Sequence, residues 1–181
     1  MKVFLHFLFL LFTTQATFAN VTLVPFGSTW KYLDNGSDQG TTWTSTGFND
    51  AAWSSGTGQL GYGDGDESTI VSYGGNAANK YITTYFRKNI TIGSTSSYLD
   101  YTLSVKRDDG IIVYIDGTEV YRNNIAAGAF SYLTLAANAT DDGNTPQSVT
   151  LSLTQLPTGN HTIAVEIHQN SITSSDITFD M

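Results

Sequence analysis

The chain has 181 residues, a formal net charge of −8, 13% charged residues and no cysteine. Its few basic residues form no cluster, which argues against a nucleic-acid partner, because phosphate binding needs a concentrated Lys/Arg patch. Without cysteine there are neither disulfide staples nor thiolate zinc sites, so stability has to come from packing.

The first nineteen residues read as an export signal. Lys2 supplies the positive end, and Val3 to Phe12 is apolar apart from His6, too short for a resident membrane span. Thr17 and Ala19 occupy the small-residue positions of a cleavage site, which predicts a mature start near Asn20 and a secreted or cell-surface location. No second apolar run reaches the length of a span. Residues 20–181 are enough for one core, since a domain of roughly 150 residues buries about 68–70% of its unfolded surface.

Beyond residue 20 no long stretch repeats with a 3.6-residue period, and alternation dominates. Residues 35–79 form a Gly/Ser/Thr/Asp-rich stretch punctuated by Trp43, Phe48, Trp53 and Tyr62, which predicts an elaborate loop region anchored by its aromatics. Strands are predicted where apolar residues recur every second position. These are Ile82-x-Thr84-x-Phe86-x-Lys88-x-Ile90, Leu99-x-Tyr101-x-Leu103-x-Val105, Val149-x-Leu151-x-Leu153, Ile163-x-Val165-x-Ile167 and Ile177-x-Phe179-x-Met181. Asp116-Gly117 between two β-rich runs predicts a tight hairpin. Short strands without intervening helices predict an all-β protein, a two-sheet antiparallel sandwich. The last alternation runs on to Met181, which suggests a module of a larger protein.

Several blocks resemble the galactose-binding-like jelly rolls, particularly the amino-terminal sandwich of β-galactosidase-type glycosidases and accessory modules of large secreted bacterial proteins. They are Phe48-Asn49-Asp50-Ala51-Ala52-Trp53, Gln59 to Glu67, Tyr81 to Lys88, Arg107-Asp108-Asp109-Gly110 with the Tyr114 to Tyr121 hairpin, Ala164 to Gln169 and Ser174 to Asp180. The resemblance implies a non-catalytic role, either binding glycans or packing beside a catalytic domain.

Alternation nominates a ligand site. If Ile163, Val165 and Ile167 face the core, Glu166 and His168 emerge on the opposite side of their strand, as Tyr85 and Arg87 do on theirs. With Asp109 at its turn and Asp176 beside the last strand, these six form a face of planar hydrogen-bonders next to an aromatic, the chemistry that sugar hydroxyls and CH faces require. The competing reading is that they pair with one another and fix the sheet edges.

Asp64, Asp66 and Ser68 have the alternate spacing that suits a hard cation such as structural calcium, although Thr69 and Gly75 fall where an EF-hand loop needs Gly and Glu. Asp141-Asp142-Gly143-Asn144 is a second, weaker acidic turn. Gly56-x-Gly58-x-x-Gly61 has dinucleotide-binding spacing, but poor helix-forming sequence follows it. A Ser175–His168–Asp176 triad can be written down, yet no nucleophile-elbow sequence carries the serine. The sequence therefore favours a glycan or a neighbouring domain as partner, with an autonomous hydrolase as the remote alternative.

Overall fold

The computed structural model describes residues 20–181, so the predicted signal segment lies outside the described residues. Eleven strands are present: β1 (Thr29–Leu33), β2 (Ser54–Thr57), β3 (Leu60–Tyr62), β4 (Thr69–Ile70), β5 (Thr83–Ile92), β6 (Tyr101–Asp108), β7 (Gly110–Ile115), β8 (Thr118–Asn123), β9 (Gln147–Leu151), β10 (Gly159–His168) and β11 (Ile177–Asp180). Two short 3-10 turns, at Thr42–Thr44 and Thr95–Ser97, are the only helical elements among the described residues. The strands form a six-stranded sheet in the order β2-β1-β5-β10-β7-β8 and a five-stranded sheet in the order β4-β3-β11-β6-β9. Every pairing is antiparallel except β3 with β4. The protein is an all-β sandwich.

The predicted alternation builds the core between the sheets. Ile163, Val165 and Ile167 of β10 pack with Phe86 of β5, Val105 of β6 and Phe179 of β11 in one buried cluster. Trp30 and Phe86 of the six-stranded sheet clasp Phe179 of the other, with ring centroids 5.0 and 4.3 Å apart. Offset and edge-on aromatic contacts of this kind add about 0.5–1.5 kcal/mol each to the burial of the rings.

Two expectations need correction. Leu99 lies outside β6 and is 69% exposed, because the Thr95–Ser97 turn interrupts the chain just before the strand. The stretch 35–79 contains β2, β3 and β4, three strands of two to four residues, too short to carry a recognisable alternation. Its aromatics do act as anchors, with Trp43, Trp53 and Tyr62 all buried.

The β7–β8 hairpin turns at Asp116 (φ 50°) and Gly117 (φ 85°), the pair of positive dihedrals that a two-residue hairpin requires. Asp116 also ties this hairpin to its neighbour. Its carboxylate accepts the Thr162 N–H (2.8 Å) and faces His161 Nδ1 (2.6 Å), while His161 Nε2 lies 2.8 Å from the Pro157 carbonyl. Burial opposes charging this ring, but the bonds to Asp116 and Pro157 outweigh it and raise the His161 pKa above 6.5.

A raised folded-state pKa gives stabilisation that is complete below the unfolded value and lost as the pH rises through the folded one. His161→Phe should therefore be less stable than the parent at about pH 5, and the gap should narrow by about pH 9. Urea denaturation of both proteins across that range checks this, and a constant gap would contradict the charged pairing.

Candidate functional site

The predicted outward face of the six-stranded sheet is not open. Tyr85, Arg87, Glu166 and His168 are all buried, at 3%, 1%, 4% and 0% exposure. Trp43, Trp53, Tyr85 and Ala164 form a second apolar cluster there, joined by Leu33, Phe48, Tyr114 and Tyr132. The β1–β2 connection folds over the sheet and Arg87 fastens it. The guanidinium donates to Asp50 (2.9 Å), to the Trp43 carbonyl and to the Ser45 carbonyl (3.1 Å), and it lies over the Phe48 ring.

Glu166 accepts the Tyr114 hydroxyl (2.6 Å), and its second oxygen lies 3.2 Å from His168 Nε2. His168 Nδ1 donates to the Thr134 carbonyl (2.7 Å), and Thr83 donates to the Tyr132 carbonyl (2.8 Å), so the β8–β9 connection covers the other side. Arg87, Thr83 and His168 thus hold loops to the sheet. Nothing in the sequence shows the cover, because it comes from segments 34 to 49 residues away from Arg87, Thr83 and His168. The written triad does not assemble as a relay either, since the Ser175 hydroxyl donates to Asp176 while the His168 ring points at Thr134.

The remaining two predicted residues, Asp109 and Asp176, do line an opening. A pocket of about 240 Å³ is bounded by Asp108, Asp109, Asn138, Ala139, Asp142, Asn170, Ser174, Ser175 and Asp176. Strand order explains the gathering of acids. β3, β11 and β6 are neighbours in the five-stranded sheet, with Ile177 opposite Tyr62 and Thr178 opposite Asp108. The end of β3, the start of β11 and the end of β6 therefore coincide, which puts Asp64, Asp176 and Asp108 at one edge of the sheet.

Two glycines let loops close onto this edge. A Cβ at Gly63 would stand 2.5 Å from that of Asp176, and one at Gly143 would stand 2.8 Å from that of Thr178. The second approach brings in Asp142. Carboxylate oxygens of Asp64, Asp142 and Asp176 lie within 4.8 Å of one another, and Asp64 accepts the Thr178 hydroxyl at 2.9 Å.

Asp109 is committed to the backbone, accepting the N–H groups of Ala139 (3.1 Å) and Asn170 (2.7 Å) and so tying two loops together. Burial, and then the charges of Asp109 and Asp176, push the Asp108 carboxyl up to about 8. Burial, and then the neighbouring Asp176 and Asp142, push Asp64 up to about 6, against the lowering effect of the Thr178 bond. Asp176 is the first cause that raises Asp142.

Of the cation loop expected at Asp64, Asp66 and Ser68, the two acids stay together, with carboxylate oxygens within 4.8 Å of each other. Asp64 reaches toward Asp176, whereas Asp66 accepts the Gln59 amide (2.7 Å) and Ser68 gives its N–H to the Gln59 carbonyl. Glu67 lies beside Asp64 and Asp66, but both its oxygens accept backbone N–H groups, from Asp64 and Gly65. Asp108 and Asp142 were not among the expected ligands; the only signal for Asp142 was its acidic turn.

No protein-family model and no curated protein matches this sequence. Solved structures do match. A calcium-binding mutant of β-glucuronidase 2 from Bacteroides uniformis superposes with a TM-score of 0.50 at 13% identity, covering 85% of this chain and 17% of that one. A β-glucuronidase from glycoside hydrolase family 2 gives 0.48 at 14% identity over 87% of this chain and 17% of its own. A β-glycosidase from Bacteroides vulgatus gives 0.46 at 16% identity, covering 87% and 20%. The chain spans a fifth or less of these enzymes, and what it shares with the first of them is the fold of a β-sandwich portion.

If Arg87 is the fastener of the β1–β2 connection, Arg87→Met leaves Asp50 unpaired and two carbonyls without their donor. The expected result is a loss of about 3 kcal/mol in chemical denaturation. Red-shifted tryptophan emission should accompany it, as water reaches Trp43 and Trp53. Unchanged emission and stability would show that the apolar cluster alone holds the loop.

Proposed function

We propose that this chain is a non-catalytic accessory module of a larger extracellular protein, a carbohydrate-binding-like sandwich that offers a glycan the pocket at the end of its five-stranded sheet. The observation that carries this is the pocket's lining, which apart from Ala139 consists of Asp, Asn and Ser. Such groups give hydroxyls the directional donors and acceptors they need, and the Asn170 side chain already donates to Asn138 Oδ1 (2.8 Å) in a pre-ordered pair. The signal-like amino-terminal sequence and the sandwich portion shared with a much longer glycosidase support an exported, multi-domain setting. Burial of Glu166 and His168 under loops supports a role without turnover at those residues.

Isothermal calorimetry against a broad glycan panel, with and without calcium, tests the proposal. Weak, reversible binding is expected, and Asn170→Ala should lower the affinity by about 1 kcal/mol, the usual worth of one neutral hydrogen bond. Silence across the whole panel would remove the reading.

A second reading, a packing domain that binds no sugar, is favoured by a separate observation. A groove of about 630 Å³ is lined by Val21, Leu23, Phe26, Leu99 and Met181 among others, with Val21 58% and Leu99 69% exposed. Contiguous exposed apolar surface of this kind marks an interface. Replacing Val21 and Leu99 together by serine should lower the fluorescence of a hydrophobic dye bound to the folded protein while sparing the melting temperature. An unchanged dye signal would mean that the groove is not the exposed apolar surface of the molecule.

A further inference from the structure

The acids at the end of the five-stranded sheet have no basic partner. Among the described residues the ion pairs are Arg87–Asp50, Arg107–Asp141, Arg122–Glu119, His161–Asp116 and His168–Glu166, and none involves Asp64, Asp108, Asp142 or Asp176. Lys80, which approaches the same loop, bonds the Ser174 and Ser175 carbonyls and sits over the Tyr62 and Tyr73 rings.

A cluster of acids alone would be only a solvated surface. The independent observation is Asp108, which borders the pocket beside Asp176: the residue is 3% exposed, and its Oδ1 has no hydrogen-bond partner. A buried carboxylate oxygen left bare in a polar pocket is costly unless something completes it. We propose that the pocket and the Asp64 loop beside it form a divalent-cation site for calcium, with the converging carboxylates of Asp64, Asp142 and Asp176 as its ligands and Asp108 next to them.

Calcium takes six to eight oxygen ligands in irregular arrangements, which suits carboxylates that arrive from three separate segments. Ser174, Ser175, Asn138 and Asn170 bring further side-chain oxygens to the pocket's lining. Magnesium, which demands a small near-octahedral shell, fits this scattered set less well. The ligand set differs from the local loop that the sequence suggests. It keeps Asp64, drops Asp66 and Ser68, and joins residues as much as 112 positions apart, so calcium here would clamp the β3–β4 and β8–β9 loops to the start of β11. The site shares its pocket with the glycan reading but does not rest on it, because no sugar is needed to complete the ligands.

Calcium chloride titrated by calorimetry into chelator-treated protein, without sugar, tests the inference. A dissociation constant on the order of 10⁻⁴–10⁻³ M or tighter is expected, with a rise in melting temperature. Asp176→Asn and the exposed Asp142→Asn should each weaken binding by about tenfold or more, while Asp66→Asn should leave it within about twofold. Asp142 lies on an exposed turn, so its variant keeps the test decisive if Asp176→Asn fails to fold. Absence of both heat and thermal shift up to about 10 mM calcium would overturn the site. So would binding that depends on Asp66 and ignores Asp142, which would place the ion in the Asp64–Glu67 loop instead. If calcium fails to bind, glycan binding that persists in chelator would leave the proposed function standing on its own.

Discussion

Burial of both faces of β10 is the constraint on which the rest of the structure depends. The strand sits between β5 and β7, and every residue from His161 to His168 is buried. Its inward residues are aliphatic and meet the second sheet; its outward residues, Ala164, Glu166 and His168, need a roof. A buried carboxylate and imidazole are tolerable only when their hydrogen-bonding capacity is met. The connections that supply Thr134 beside His168, and the Trp43 and Trp53 rings over Tyr85, are thus as necessary to the fold as the sheets.

At the opposite extreme of chemistry is the acid-lined edge. Carboxylate oxygens of Asp64, Asp142 and Asp176 lie within 4.8 Å of one another, close enough for their like charges to repel even at a solvated edge. Burial and the neighbouring acids push the Asp64 and Asp108 carboxyls up, so that crowding at this edge is relieved in part by proton uptake. Protons and a divalent ion are competing answers to one electrostatic problem. Strand register brings Asp64, Asp176 and Asp108 to one end of the sheet, and the close approach of Gly143 adds Asp142.

How far the sequence spoke for itself followed the range of the interaction concerned. Period-two spacing at Ile163, Val165 and Ile167 and at Ile177, Phe179 and Met181 identified core-facing residues, and Asp116-Gly117 identified its hairpin, since each is a matter of a few consecutive residues. Strands β2 to β4 carry no such signature; their pairing is set by partners, β1 and β11, that the chain reaches elsewhere. Asp109 and Asp176 were legible as polar residues at strand ends and do line the pocket. Tyr85, Arg87, Glu166 and His168 were legible as a cluster, but their cover was not. Alternation reports which side of a strand a residue occupies and is silent about what lies above it.

Arg87 grips its loop in a particular way. Two of its three partners in that connection are main-chain carbonyls, those of Trp43 and Ser45, and every amino acid provides a carbonyl. The anchor thus constrains the path of the chain far more than the identity of the side chains along it. Related sequences are free to vary at Ser45 while the loop keeps its place, so a search that weighs residue identity sees little in this segment even where the architecture has been retained.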